Sequence, residues 1–251
     1  MKTKIIINPQ YIQIEDFIQK LPQTFSSIPH IIQARRNIIK EIEIDNLKLN
    51  IKQYRKPIFI NRIVYTFFRK SKAHKAYYNA LEVIKRGFDT PASIAYIEEQ
   101  ESGLLSLSYF ISLQLSNVRE IREYYFSKAE DNDKELLKAF ALYTAKLHNA
   151  GILHLDYSPG NILISQTESG EYSFSLVDIN RMQFQQVSME TGCKNFCRLF
   201  EYDEAVNFIA SVYAKERNFD EVSCRNLILN YKHLFEKKKE RKKRIKKFLK
   251  I

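Results

Sequence analysis

The stretch His148-Asn149-Ala150-Gly151-Ile152-Leu153-His154-Leu155-Asp156-Tyr157-Ser158-Pro159-Gly160-Asn161-Ile162-Leu163 decides the reading of this chain. It holds His-x-Asp, then Asn161 five residues after Asp156, and 17 residues further on the apolar run Leu176-Val177 ends in Asp178. Phosphoryl transfer from a nucleotide asks for these residue types in this order. One carboxylate takes the proton of an attacking hydroxyl, while an amide and a second carboxylate hold a divalent cation on the phosphates. The spacing carries a geometry. Asn161 to Ile164 reads as a short strand, Gln166 to Gly170 as a turn, and Phe174 to Asp178 as a returning strand. The start of the first strand and the end of the second lie at one end of such a hairpin. Asn161 and Asp178 are therefore expected beside the loop that carries Asp156, and three oxygen-bearing groups around one point suit a hard cation. Each piece alone occurs by chance in many chains; the weight lies in their conjunction with Leu147-His148 and Gly151 upstream.

With these residues in view, the chain resembles the protein-kinase-like superfamily, and within it the bacterial lipopolysaccharide core kinases that phosphorylate Kdo or heptose sugars. His148 to Leu163 looks like that family's catalytic loop. Val177-Asp178-Ile179-Asn180-Arg181-Met182 looks like its metal-binding loop, and Gly87-Phe88-Asp89-Thr90-Pro91 like the turn after its first N-lobe helix. The likeness runs from about Arg36 to about Leu199. It implies an α+β, two-lobed kinase-like fold with a small β-rich N-lobe over residues 1–115, a mainly helical C-lobe over 116–236 and a basic tail over 237–251. It also implies ATP and Mg2+ as cofactors. By matching position, Asp156 is the base or hydroxyl-orienting residue, Asn161 and Asp178 bind magnesium, and His154 is a scaffold holding the loop by hydrogen bonds.

Length and composition bound what else the chain can be. With 251 residues there is room for one two-lobed unit and little more. Three cysteines, Cys193, Cys197 and Cys224, form no even framework and no convincing zinc set, so a reduced compartment is the simple reading. No apolar run reaches the ~20 residues of a membrane span, and the first residues are too short in apolar length for a signal peptide. The expectation is a cytoplasmic protein, monomeric, and peripheral at the inner face of the membrane.

The net charge of +11 is unevenly placed. Lys237 to Lys250 holds ten Lys/Arg against one acid, and Lys52 to Lys75 holds eight with none. The remainder of the chain is net acidic. Basic runs bind phosphate backbones without sequence choice, but no motif here reads bases, so no specific nucleic acid is expected. The tail reads either as a solvated helix end or as a surface for an anionic leaflet, where each Lys or Arg contributes about 1 kcal/mol. A lipid-linked, phosphate-bearing sugar acceptor suits both basic patches.

Outward from the motif, Tyr11 to Ile18 reads as a short amphipathic segment, and Ile38 to Ile44 and Leu47 to Tyr54 as strands joined by an Asp45-Asn46 turn. Leu47, Leu49 and Ile51 share one face and Lys48, Asn50 and Lys52 the other. The resemblance makes Lys52 the lysine of the α- and β-phosphates; otherwise it is an exposed strand lysine. Lys72 to Arg86 reads as a helix stopped by Gly87. Ser106 to Ser112 reads as the last N-lobe strand, Leu113 to Ser116 as a hinge, and Asp133 to Asn149 as a helix with Asp131, Asn132 and Asp133 offering caps.

Two departures from the superfamily stand out. The first helix carries no glutamate where one should pair with Lys52: Ala76 and Tyr78 occupy the expected positions, and Glu82 sits late. All six glycines follow Lys52, so no glycine-rich loop precedes it; either Ser26 to Asn37 covers the phosphates without glycine, or nucleotide affinity is low. The departures keep open a pseudokinase that binds without chemistry, and a phosphotransferase for a soluble small molecule. After Asp178 the segment Arg181 to Cys193 is short. No proline follows Pro159, so the Ala-Pro-Glu that closes a protein kinase's peptide-docking segment cannot occur. A sugar hydroxyl fits such a site better than a peptide.

Overall fold

The Asp45-Asn46 turn holds both residues at positive φ, 49° and 63°, the twist a two-residue hairpin requires and that Asn and Asp tolerate. It joins β3 (Ile38–Ile44) to β4 (Leu47–Tyr54) with Ile44 opposite Leu47 and Ile39 opposite Lys52. The structure, a computed structural model, describes residues 2–248, with the side chains of residues 131 and 132 left aside. Leu249, Lys250 and Ile251 of the basic tail lie outside the described residues. The chain divides into two compact units, Met1–Ser116 with Asp178–Arg181, and Asn117–Val177 with Met182–Ile251.

The first unit is built on a six-stranded antiparallel sheet. It also contains β1 (Lys2–Ile7), β2 (His30–Ala34), β5 (Ser93–Glu101) and β6 (Leu104–Leu113), in the order β1-β5-β6-β4-β3-β2. Its strands alternate between two covered faces, except where the β5–β6 register shifts and Ile94 and Ala95 join the same cluster. Leu49, Ile51, Ala95, Ile97, Tyr109 and Ile111 bury against α1 (Glu15–Thr24) through Ile18 and Leu21. Tyr54, Tyr96 and Phe110, on the opposite face, pack on Ala73, Ala76 and Tyr77 of α3 (Lys72–Lys85). Ser71 caps α3 by accepting from the His74 N–H, and Gly87, at φ +82°, lets the chain leave it. Between β4 and α3 lies α2 (Phe59–Phe67), a helix within what the sequence showed only as a basic stretch.

Lys40 is buried in this unit, and its three ammonium donors are all used. They reach the carbonyls of Phe25 (2.9 Å), Ser26 (3.0 Å) and Ile28 (2.7 Å). A buried ammonium is tolerated only when so satisfied, and here it staples the 25–28 turn to β3. The turn between β2 and β3 is Arg35-Arg36-Asn37, with the Arg35 N–H donating to the Asn37 carbonyl.

The second unit packs around α4 (Asp131–Asn149). Leu136, Leu137, Phe140, Ala141, Thr144, Ala145 and Leu147 are buried at helical spacing. The helix begins two residues earlier than the sequence suggested, with Glu130 at the N-cap position, so Asp131, Asn132 and Asp133 are helical residues and not caps. Against α4 sit β9 (Ile162–Gln166) and β10 (Tyr172–Leu176), the expected hairpin, with the two-residue β7 (Arg119–Glu120) beside β9. A second pair joins β8 (Ile152–His154) to β11 (Met182–Phe184). Three helices complete the unit: α5 (Met189–Asn195), α6 (Asp203–Glu216) and α7 (Glu221–Phe248). From Lys237 onward the described residues of α7 are all exposed.

Candidate active site

The β9–β10 hairpin holds its register with Leu176 opposite Ile162 and Phe174 opposite Ile164. One step past β10 the Val177 N–H donates to the Asn161 carbonyl at 3.0 Å. The pairing that the spacing called for is present, one or two residues shorter at the Asn161 and Asp178 end and two residues longer at the turn.

His154 is fully buried and its two ring nitrogens have fixed roles. Nδ1 accepts from the Asp156 N–H at 3.0 Å, so Nε2 carries the proton and donates to the Val177 carbonyl at 3.0 Å. His154 is thus a neutral tie between the loop that carries Asp156 and the end of β10. The Asn161 side chain donates Nδ2 to the Asp156 carbonyl at 2.8 Å, which leaves its Oδ1 for the acceptor role. Asn195 of α5 donates to the His154 carbonyl at 3.0 Å, and its Oδ1 lies 3.2 Å from His148 Nε2. His148 Nδ1 then accepts from the Tyr213 hydroxyl at 2.9 Å, and Arg217 donates to that hydroxyl at 3.0 Å. The chain of bonds runs from Arg217 to the loop with each donor matched to one acceptor. Burial holds the His148 imidazole down at about 4, so it stays neutral. Gly192 makes this possible: a Cβ there would collide with the Tyr213 oxygen.

Asp156 is ion-paired with Arg198, whose guanidinium also lies 5.3 Å from the centre of the Phe235 ring on α7. Sequence reasoning missed Arg198. Nothing local marks an arginine 42 residues downstream as the partner of the motif aspartate.

In the first unit, Lys52 lies on the central strand β4 and donates to Asp178 Oδ1 at 2.8 Å. Asn180 donates to the same oxygen at 2.5 Å, which leaves Oδ2 directed elsewhere. Asp178 sits at φ 55°, a left-handed conformation that costs energy for most side chains and that Asp and Asn adopt most readily. The glutamate expected on the helix is absent in fact: Ala76 is buried in the tyrosine cluster, and Glu82 is engaged with Arg86 at 2.7 Å. Asp178 takes its place as the partner of Lys52. Asn79 of α3 donates instead to the Ile179 carbonyl at 2.7 Å, tying that helix to the residue after Asp178.

Around Asp178 gathers a set of cations that the sequence did not announce. The Lys72 ammonium is pushed below its ordinary value by burial and then by Arg36, with Lys52 and Arg181 adding to the effect and Asp178 opposing it. Lys52 and Lys72 approach the Tyr54 ring at 5.5 and 5.9 Å. Burial, and then the charge of Asp178, raises the Tyr54 hydroxyl far above its usual value, so it remains a neutral platform. Cations that repel one another around Lys72 favour the arrival of further negative charge.

Among the described residues no group of three or more His, Cys, Asp or Glu side chains forms a metal cluster. Cys193 and Cys224 are free thiols 3.6 Å apart, and no described helix is long and apolar enough to cross a membrane.

A family model described as lipopolysaccharide kinase (Kdo/WaaP) matches residues 33–221. No curated protein sequence matches significantly. Among solved structures, WaaP in complex with acyl carrier protein superposes with a TM-score of 0.63 at 13% identity, covering 95% of this chain and 98% of that one. A mitogen-activated protein kinase of Leishmania major covers 87% of this chain and 65% of its own, at 14% identity and TM-score 0.43. The bifunctional kinase-methyltransferase WbdD is similar at 12% identity and TM-score 0.44, over 78% of this chain and 42% of its own.

Proposed function

Because the chain belongs to the lipopolysaccharide kinase (Kdo/WaaP) family, and so to a family of kinases, we propose that it transfers the γ-phosphoryl group of ATP to a hydroxyl of a Kdo or heptose sugar in the lipopolysaccharide inner core. Asp156 orients that hydroxyl and accepts its proton. Asn161 and Asp178 share a magnesium ion. Lys52 steadies the α- and β-phosphates. The observation that carries the reading is the fixed state of the loop around Asp156. Its backbone N–H, its carbonyl and the carbonyl of His154 are each held by a named side chain, so the carboxylate is positioned before any substrate arrives. Catalysis of phosphoryl transfer rests mostly on such positioning and on charge stabilisation.

The donor set fits magnesium. Asn161 Oδ1 and Asp178 Oδ2 are oxygens, the ligand type a hard cation prefers, and the hydrogen bonds already described occupy the other ends of both groups. When bound, the ion neutralises charge on the phosphates. Lys72, Arg36 and Arg181 answer the missing glycine-rich loop by presenting side-chain charge where other kinases present backbone N–H groups. The short segment after Asp178, pinned by β11 against β8, provides no peptide-docking element of the protein-kinase type among the described residues.

The acceptor is lipid-linked, and the basic end of α7 is proposed to draw the protein to an anionic cytoplasmic leaflet. Mass spectrometry of the lipid A–core fraction from cells with and without the gene tests the assignment. Loss of one phosphate from the inner core, restored by the wild-type chain and not by Asp156→Ala, is the expected result. An unchanged core phosphate content would refute it.

A further inference from the structure

Helix α2 is amphipathic in the wrong sense for a helix of a protein core. Arg62 and Thr66 face the protein, with Ile63, Val64 and Tyr65 half-buried beside them. Arg62 donates to the carbonyls of Leu105 (2.8 Å) and Glu101 (2.9 Å), and Thr66 accepts from the Leu105 N–H at 2.9 Å, so one turn of polar residues fastens the helix to the β5–β6 hairpin. Its apolar side faces out. Ile58, Phe59, Ile60, Phe67 and Phe68 are 65–78% exposed, and no residue of the helix is buried. Ile60 and Phe67 lie two turns apart on one face, with Ile58 and Phe59 at the start and Phe68 just past the end. With the half-buried Ile63 and Val64 between them, Ile60 and Phe67 form an apolar stripe at helical spacing, and Ile58, Phe59 and Phe68 add exposed apolar surface at its two ends.

The flanks identify the partner. Arg55 and Lys56 precede the helix and Arg69 and Lys70 follow it; all four are exposed, and Lys56 is ion-paired with Glu101. No acidic residue occurs anywhere from Lys52 to Lys75. An apolar face rimmed on both ends by cations, on a helix whose axis lies along the protein surface, is the pattern of a helix that lies in the interface of an anionic membrane. There the phenyl and isoleucine side chains enter the acyl boundary and the cations meet lipid phosphates. A second copy of this chain would bring the same cations face to face.

We propose that α2 is the element by which this protein inserts into an anionic phospholipid surface, and that the basic end of α7 only adds long-range attraction. The inference stands apart from the catalytic assignments, because membrane binding is read without turnover. It predicts that the two elements respond differently to salt: insertion by α2 survives ionic strength that screens α7.

The chain contains no tryptophan, so Phe59→Trp gives a single reporter at the patch with little change in volume. The indole emission of this variant is expected to shift to the blue with vesicles of phosphatidylglycerol and phosphatidylethanolamine, and to be quenched by lipids brominated along the acyl chain. Vesicles of phosphatidylcholine alone should give a much weaker response. In flotation assays on the full chain, the triple variant Phe59→Ser, Phe67→Ser, Phe68→Ser should lose roughly tenfold or more in vesicle partitioning with its melting temperature kept. Removal of residues 237–251 should weaken binding only at low salt. The inference fails if the indole emission ignores anionic vesicles. It fails equally if the triple variant partitions like the wild type, whether or not it loses binding to purified acyl carrier protein or changes from dimer to monomer in sedimentation.

Discussion

Asp156 and Asp178 each meet one basic side chain, Arg198 and Lys52, yet their surroundings differ in kind. Behind Asp156 stands a run of hydrogen bonds from the half-buried Arg217 through the buried, neutral Tyr213 and His148, and through Asn195, to His154. Behind Asp178 stand Lys52 and Asn180, which share one of its oxygens, and beside it Lys72, which feels Arg36, Asp178, Lys52 and Arg181 through charge. The first arrangement fixes geometry and is indifferent to salt. The second waits for an anion and is weakened by salt. In the proposed function the first region positions the acceptor hydroxyl and the second receives the phosphates. The difference explains how a chain without a glycine-rich loop or a helix glutamate keeps the parts of a kinase.

The contrast can be broken first at the catalytic loop itself. Asp156→Asn should lower turnover by roughly 10³ while the circular dichroism spectrum and melting temperature stay those of the wild type, since the backbone N–H and carbonyl of residue 156 keep their partners. A loss of a few-fold only would remove Asp156 from the chemistry. Next in size is the pH response of the relay. His148 is held neutral with its value near 4, whereas in the unfolded chain it titrates near 6.5. The unfolded state therefore binds the proton first. The stability that neutral His148 preserves is complete above about pH 6.5 and is lost as the pH falls toward 4, a change of roughly 3 kcal/mol. Chemical denaturation of wild type and His148→Gln at pH 7 and pH 4 measures it: the difference between the two pH values should shrink by about that amount in the variant.

A smaller effect is expected at Gly192. Gly192→Ala places a methyl group against the Tyr213 oxygen and should cost about 1–3 kcal/mol in urea unfolding, with a fall in kcat larger than any change in the KM for ATP. The mildest is on the cationic side. Lys72→Ala should raise the KM for ATP about tenfold with kcat nearly kept, and the defect should fade at high salt as screening removes the same contribution from the wild type. If Lys72→Ala moved kcat and left KM alone, the division of labour between the two regions would be wrong.

Much of the frame was legible in sequence because it is local. The Asp45-Asn46 turn, the alternation of Leu49 and Ile51 against Lys52, the α3 helix stopped by Gly87 and the β9–β10 hairpin all follow from short-range pattern. What escaped was decided by distant partners. β1 reads as an unalternating Ile5-Ile6-Ile7 run and becomes a strand only by pairing with β5, some ninety residues on. β2 is exposed throughout, so no buried face signals it. α2 hides because its apolar side faces outward and its anchors, Arg62 and Thr66, look like ordinary surface residues until the β5–β6 hairpin is beside them. In the site, His154, Asp156, Asn161, Asp178 and Lys52 could be named from spacing or resemblance. Arg198, Lys72, Arg36 and Asn180 could not, since a charge or hydrogen-bond partner placed by the fold leaves no periodic trace.

Everything in the proposed chemistry depends on Asn161 and Asp178 serving one cation in the presence of nucleotide. Electron paramagnetic resonance of Mn2+, a spectroscopic substitute for Mg2+, titrated into the purified chain with ATP probes this without recourse to turnover. Asp178→Asn suits the left-handed backbone at that position, and Asn161→Leu keeps the volume while removing the oxygen. The wild type should show an ATP-dependent Mn2+ site that is lost or weakened at least tenfold in each variant, with both still folded. Undiminished binding in either one would rule out the shared cation.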